Sequence, residues 1–336
     1  MSTETTGMTT VAEIPKTTGP ERASMDPHQG RRAWMLIAPT VVLLGVVIGY
    51  PVVRAVIMSF QKDAALDPAT GLFQTGGFAG VDNYVKWLAQ RCGGESCPPG
   101  TGASSFYEVV GITVGFTVVT VAIELVLGFL FAMIMNGSFK GRGLLRASVL
   151  IPWAIPTAVT AKLWYFIFAF DGVANKVIGG LGFEPIVWFS GEWAARSAIV
   201  ISDVWKTTPF MALLILAGLQ LIGSEIYEAA KVDGASAWQR FTAITLPLVK
   251  PAVVVALLFR TLDVLRMYDL PAIMTGGGAG DGNDTTTLSI LVVKEYRNFI
   301  NSAAALSTIT FLFIFAVAFI FIRFLGANVN DDGGKR

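Results

Sequence analysis

Apolar residues gather into long runs at Trp34 to Phe60, Tyr107 to Met135, Leu150 to Phe170, Ser197 to Ile222, Leu248 to Met274 and Ala303 to Leu325, with polar segments between them. Each run is long enough for a helix that crosses a bilayer, which takes about 20 residues. The pattern predicts an all-α integral membrane protein with six transmembrane helices. Arg31 and Arg32 stand directly before the first run, and Trp34 and Tyr50 suit its interfaces with water. Pro51 and Arg54 predict that this first helix bends or emerges before Phe60.

The polar segments divide the chain further. Residues 1–30 are rich in Thr, Pro, Glu and Ser and lack an apolar period, so they are expected to form a disordered cytoplasmic tail. Neither the apolar core nor the small-residue site of a cleavable signal peptide is found there. A six-helix transmembrane domain is expected over 31–326 and a polar C-terminal tail over 327–336. Alternation places both termini and the loops at 136–147 and 223–247 on one side. Lys140, Arg142, Arg146, Lys231 and Arg240 fall in those loops, and Arg22, Arg31 and Arg32 precede the first run. The positive-inside rule therefore predicts N- and C-termini in the cytoplasm of a multi-pass cell-membrane protein. Residues 61–106 become an extracytoplasmic loop, in which Cys92 and Cys97 lie in a Gly/Pro-rich turn, CGGESCPPG. A small disulfide is favoured there over a metal site, because two thiols without a nearby histidine leave a metal shell incomplete.

Composition agrees with the membrane reading. Hydrophobic residues make up 53% of the chain and charged residues 15%, against about 25% charged in soluble domains. A formal net charge of +1 gives no sign of nucleic-acid binding. His28, the one histidine, lies in the N-terminal tail, so no metal cluster and no Ser/His/Asp or Cys/His catalytic set is expected. No phosphate-cradling GxxxxGK[ST] occurs, and the run Gly276 to Gly282 reads as a flexible extracytoplasmic loop. Catalytic residues are not expected in this chain.

The polar, well-patterned stretch SEIYEAAKVDGASAWQRFTAITLPLVKP, Ser224 to Pro251, lies between two apolar runs. Ser224 is expected to cap a helix carrying Glu225 and Glu228 near its start. Gly234 allows a turn or a close approach. A second short helix follows, with Trp238, Phe241 and Ile244 on one face, before Pro247 and Pro251 punctuate entry into the next run. By itself such a stretch could be an interfacial hairpin. Its spacing of Glu228, Ala229, Ala230, Gly234, Ile244, Leu246 and Pro247, however, matches the EAA loop, and the chain resembles the permease subunits of binding-protein-dependent ABC importers. IPWAIP (Ile151 to Pro156), VWKTTPF (Val204 to Phe210) and MTGGG (Met274 to Gly278) extend that resemblance toward the maltose/trehalose carbohydrate-uptake branch.

The resemblance implies a type I permease fold with a cytoplasmic coupling-helix loop at 223–247. It also implies a sister permease, two ATPase subunits that bind ATP and Mg, and an extracytoplasmic solute-binding protein or lipoprotein. No cofactor is expected on this chain. The solute implied is a disaccharide, trehalose first and maltose or a related glucoside next. Glu228 and the alanines would seat the loop on the ATPase, and Trp238 and Phe241 would brace it.

Ionisable residues inside spans are costly and mark functional sites by default. Asp203, Trp205, Lys206 and Thr207 fall in the fourth run, and Arg260, Asp263 and Arg266 in the fifth. Counting depth along straight helices predicts that Asp203 and Arg266 meet and that Asp263 and Arg266 share a face. Two readings stay open: ion pairs that close the bundle, or a polar cavity that hydrogen-bonds sugar hydroxyls. Glu124 and Lys162 are expected to pair. A secondary transporter driven by an ion gradient is the competing class, although no repeat between halves is visible.

Overall fold

The computed structural model describes residues 27–66, 71–74, 76–279 and 282–323. Residues 1–26 of the tail expected over 1–30, and the whole tail expected over 327–336, lie outside the described residues. Two compact units are present, residues 1–53 and 54–336.

In the first unit, helix α1 (Pro27–Leu44) begins on a proline, whose missing N–H is no loss at a helix start. Residues 27–30, which the expected tail included, are helical. One wide turn, Gly45–Gly49, joins α1 to α2 (Tyr50–Ser59). Trp34–Ser59 forms a 26-residue apolar stretch, about 39 Å long and sufficient to cross a bilayer. Pro51 and Arg54 both lie within the helical segment Tyr50–Ser59. The irregularity is the preceding turn, where the amide of Tyr50 reaches back five residues to Gly45 O and so shifts the hydrogen-bond ladder just before the proline.

The second unit starts with a small folded loop. Two antiparallel hairpins, β1 (Ala65–Leu66) with β2 (Phe73–Gln74) and β3 (Arg91–Cys92) with β4 (Glu95–Ser96), flank α3 (Asp82–Leu88). A disulfide joins Cys92 to Cys97, their Cα atoms 4.8 Å apart. There follow α4 (Phe106–Asn136), α5 (Arg142–Ala154), α6 (Thr157–Ile167), α7 (Val173–Gly180), α8 (Glu192–Gln220), α9 (Ser224–Val232), α10 (Ala237–Arg240), α11 (Leu246–Val264), α12 (Asp269–Thr275), α13 (Leu288–Tyr296) and α14 (Ile300–Phe321). Among the described residues five straight helical stretches are long and apolar enough to span a membrane, and α5 with α6 forms a sixth bent by 91°.

That bend corrects the straight third span expected over Leu150–Phe170. Pro152 and Pro156 bracket it, and Ile155 and Pro156 take extended backbone between the two helices. The fifth span is corrected as well. It begins at Ala237 rather than Leu248 and ends at Val264 rather than Met274, because Leu265 to Tyr268 turn away before α12.

Helix α8 is the axis of the second unit. It is the least apolar of the straight spans, and two thirds of its most apolar window is buried, so its polar residues face protein. Helix α4 runs in the same direction along it. At Gly128 an added Cβ would lie 2.7 Å from Met211 Cγ, so only glycine fits there. Helix α11 runs antiparallel on another side, and a Cβ at Gly218 would fall 2.4 Å from Ala252 Cβ. Such close backbone approach is how helices in lipid gain dispersion contact without a hydrophobic driving force. Met211, Ile215, Val249 and Ala256 fill the seam.

A second core lies under the 61–106 loop, where Trp87, Phe106, Leu288 and Leu306 pack together. Polar ties fix it. Lys86 pairs with Glu295 at 2.6 Å and donates to Ser302 Oγ at 2.9 Å, and Trp87 Nε1 donates to Ser302 O at 3.1 Å. The Asp63 carboxylate accepts from the amides of Asn301 (2.7 Å) and Ser302 (2.9 Å) at the start of α14. The glycine run expected to be flexible is partly built: Gly276 caps α12, and Gly277 O accepts from Thr286 Oγ1 and Lys294 Nζ.

Candidate functional site

Two structures built from the fourth and fifth spans carry the functional argument. One is the hairpin Ser224–Thr245. Helix α9 ends in a Schellman motif: Ala235 N bonds Ala230 O at 2.9 Å and Gly234 N bonds Lys231 O at 3.1 Å, with Gly234 at φ +76°. Ser224 is not the cap expected of it. It is the first helical residue, and the preceding Gly223 supplies no side chain. The cap that does form is on α10, where Ser236 accepts from Gln239 N and Gln239 Oε1 accepts from Ser236 N. The spacing S-x-x-Q was readable in SAWQ and marks a capping box.

Between α10 and α11 the chain makes a second wide turn, Phe241–Thr245, in which Leu246 N reaches Phe241 O immediately before Pro247. The turn sequences GVVIGYP and FTAITLP thus solve the same problem alike. Pro247 continues a helix it was expected to open, and Ala237–Val264 is one 28-residue apolar stretch. Tyr227 OH and Thr245 Oγ1, 3.0 Å apart, tie the two arms of the hairpin, and Phe241 packs edge-on against Phe129 of α4 at 5.7 Å. Glu228 and Ala229 are exposed on α9, Ala230 and Ile244 are half-buried, and Leu246 and Pro247 are exposed. Trp238 touches Phe241 but is 71% exposed, so its indole is free to meet another surface.

The other structure is a polar cavity of about 280 Å³ lined by Asp203, Lys206 and Thr207 of α8, Arg260 and Asp263 of α11, and Arg266, Tyr268 and Asp269 beyond it. Trp153 and Thr157, on either side of the bend in the third span, complete the wall. Behind it sits an ionic cluster centred on Arg260, which is 2% exposed. Its guanidinium donates to Glu124 Oε2 (2.5 Å) and Oε1 (2.9 Å), to Asp203 and to Asp263. Thr207 Oγ1 donates to Glu124 as well. Three helices are thereby pinned through one cation.

Several expected pairings change. Asp203 meets Arg260, not Arg266: the fifth helix stops at Val264, so Arg266 lies in the turn, with its Nε bonded to Leu262 O at 3.2 Å. For the same reason Asp263 and Arg266 do not share a helix face, although both border the cavity. Glu124 pairs with Arg260 instead of Lys162, whose ammonium lies over the Tyr165 ring at 5.4 Å. Trp205 faces away from the polar cavity. It stands edge-on to Trp164 at 5.7 Å and lines a separate apolar groove with Ile123 and Val200. Asp203, Lys206, Thr207, Arg260, Asp263 and Arg266 are brought together around one space.

The charge in this space is nearly balanced. Lys206, Arg260 and Arg266 oppose Asp203, Asp263 and Asp269 on the lining, with Glu124 behind. Such a lining offers many hydrogen-bond donors and acceptors.

The chain belongs to the family of binding-protein-dependent transport system inner membrane components, whose sequence profile matches residues 124–331. It is 38% identical over 298 residues to the trehalose/maltose transport system permease protein MalF of Thermococcus litoralis, covering 88% of this chain and 94% of that one. It is 36% identical over 322 residues to the trehalose transport system permease protein SugA of Mycobacterium tuberculosis, covering 95% and 97%. To the sulfoquinovosyl glycerol transport system permease protein SmoG of Agrobacterium fabrum it is 38% identical over 296 residues, covering 87% and 90%. The solved bacterial alginate ABC transporter, in complex with its alginate pentasaccharide-bound periplasmic protein, contains a chain of the same fold. It aligns with TM-score 0.70 at 19% identity, covering 94% of this chain and 99% of that one. The fold is thus that of an ABC-importer permease, and the family places it in the inner membrane.

Proposed function

We propose that this chain is one of two permease subunits of an ATP-driven importer that passes a disaccharide through the polar cavity by alternating access. Trehalose is the first choice, and maltose or a related glucoside the next. The observation that carries the reading is the continuity of Ala237–Val264. One helix starts in the exposed Glu228–Pro247 hairpin and ends beside Asp263 and the cavity, so displacement of the hairpin is delivered as displacement of the cavity wall. In this reading the hairpin and both termini are cytoplasmic. Two partner ATPases bind ATP and Mg and grip Glu228 and the neighbouring alanines, and a solute-binding lipoprotein delivers sugar near the 61–106 loop. The names of the relatives MalF and SugA support the solute class. Asp263 and Arg266 would take sugar hydroxyls in bidentate hydrogen bonds, while Glu124, Arg260 and Asp203 hold the helices in register.

The test is purification of the assembly from native membranes, followed by ATPase and uptake assays with a disaccharide panel and the cognate binding protein. Co-isolation of a second permease and an ATPase pair, with stimulation by one sugar, is the expected result. Asp263→Ala should abolish uptake while the ATPases still co-purify. Undiminished uptake by that variant would take Asp263 off the path, and a chain that purifies alone and works on an ion gradient would replace the whole reading by a secondary transporter.

A further inference from the structure

The bend in the third span leaves a backbone group with no ladder to join. Ile155 O lies between α5 and α6, and the first amides of α6 to bond, Val159 and Thr160, both turn to Pro156 O. A carbonyl stranded in a membrane span is costly unless a side chain reaches it. Lys206 does so from α8, 51 residues along the chain, donating from Nζ at 2.9 Å. Asp203 is one turn away on the same helix but is engaged by Arg260, and among the described residues no ion pair includes Lys206. Of its three N–H donors one bond is accounted for, and the side chain borders the cavity. Trp153 and Thr157, which flank Ile155, border the same space.

We infer that Lys206 is a positioning residue that ties the bend of the third span to occupancy of the polar cavity, its ammonium being shared between Ile155 O and an oxygen of the solute. This rests on the proposal that the cavity is the solute path. With the cavity empty, the bend is held on α8 by Lys206. A solute hydroxyl or ring oxygen offers the same ammonium a second acceptor, so binding loosens or re-aims α5 and α6 without touching them through any other charged group. The solute class this selects is one with lone-pair acceptors, because the N–H groups that Lys206 has left can only donate.

The test uses the complete transporter in proteoliposomes with trehalose and maltose as probes. Cys92 and Cys97 are joined to one another, so an introduced cysteine is the reactive thiol of this chain, read against the complete transporter without it. Tyr268→Cys, on the cavity rim, reports occupancy by protection from maleimide. A nitroxide on Ala154→Cys, beside the bend but outside the cavity lining, reports movement of α5 by its spectral line shape. The expected result is that sugar protects position 268 and alters the line shape at 154. In a Lys206→Met background protection should require about tenfold more sugar, the loss of one charge-assisted hydrogen bond. The label at 154 should there be mobile from the start and indifferent to sugar, and Lys206→Arg should restore its response. If Lys206→Met does not assemble, Lys206→Gln takes its place: its shorter neutral amide can meet Ile155 O or the sugar but not bridge both, so the sugar response at 154 should be lost there too, and a retained response overturns the inference. A sugar response at 154 that survives loss of Lys206, or one absent in the otherwise native chain while 268 is protected, overturns the inference and leaves the cavity reading standing. Uptake of a sugar without protection at 268 removes the cavity reading, and this inference falls with it.

Discussion

Replacing Glu124 by Met removes the acceptor of two guanidinium hydrogen bonds, at 2.5 and 2.9 Å, and of the Thr207 hydroxyl. The size of the effect follows from burial. The Arg260 and Glu124 side chains are 2% and 0% exposed, so water cannot replace what is lost. Breaking a buried pair from one side costs about 3–5 kcal/mol, because the remaining charge is left uncompensated. The lower end, about 3 kcal/mol, is the better expectation in a bilayer, where the unfolded chain also finds polar partners. Asp263 bonds the same guanidinium, but its side chain is 63% exposed. Solvent already screens that arm, so Asp263→Asn should cost less than about 1 kcal/mol while still impairing uptake. Heating the detergent-purified assembly and following the monodisperse fraction by gel filtration ranks the two variants. The double replacement Glu124→Met with Arg260→Met should fall short of the summed single losses by about 1–3 kcal/mol. Additive losses, or an Asp263→Asn variant as fragile as Glu124→Met, would refute the assignment of Arg260 and Glu124 as the buried centre.

Glu228→Lys reverses charge at the proposed ATPase seat on α9 and should uncouple ATP hydrolysis from uptake without loss of the permease from the membrane, read by paired ATPase and transport assays. Gly218→Val should prevent α11 from closing on α8, since even a Cβ there meets Ala252 at 2.4 Å, and should be seen as loss of assembled transporter. Gly234→Ala meets no neighbour but sits at φ +76°, so it should assemble with a stability loss of about 1 kcal/mol in the hairpin, visible as faster proteolysis there. Both cysteines should resist maleimide until a reductant is added, and equal labelling with and without reductant would rule out the Cys92–Cys97 bond.

The apolar runs located the spans well because a bilayer imposes one length and one composition on whatever crosses it. In the Glu228–Pro247 pattern Gly234 was readable for a local reason, the left-handed turn it makes at φ +76°, while the other positions were readable through the resemblance. What was hidden depended on where helices stop. Depth counted along an unbroken fifth helix put Arg266 opposite Asp203, whereas the turn at Leu265 hands that place to Arg260. Pro152 and Pro156 were visible as punctuation, but a 91° bend and a helix end have the same prolines. Glu124 could be recognised as costly in a span, yet nothing local distinguishes Arg260, 136 residues away, from Lys162 as its counter-charge. The capping box at Ser236 is legible as S-x-x-Q, whereas the glutamates that follow Ser224 favour that serine as a helix start although it caps nothing.

Helix α14 follows Phe299, a residue with no side-chain acceptor for the first amides of the helix. Those amides are met instead by Asp63, 238 and 239 residues upstream. The start of the last span is therefore encoded just after the first one. A chimera that exchanges 61–106 between related permeases exchanges a helix cap with it, and a graft boundary drawn on the far side of Asp63 would decapitate a helix it never touches.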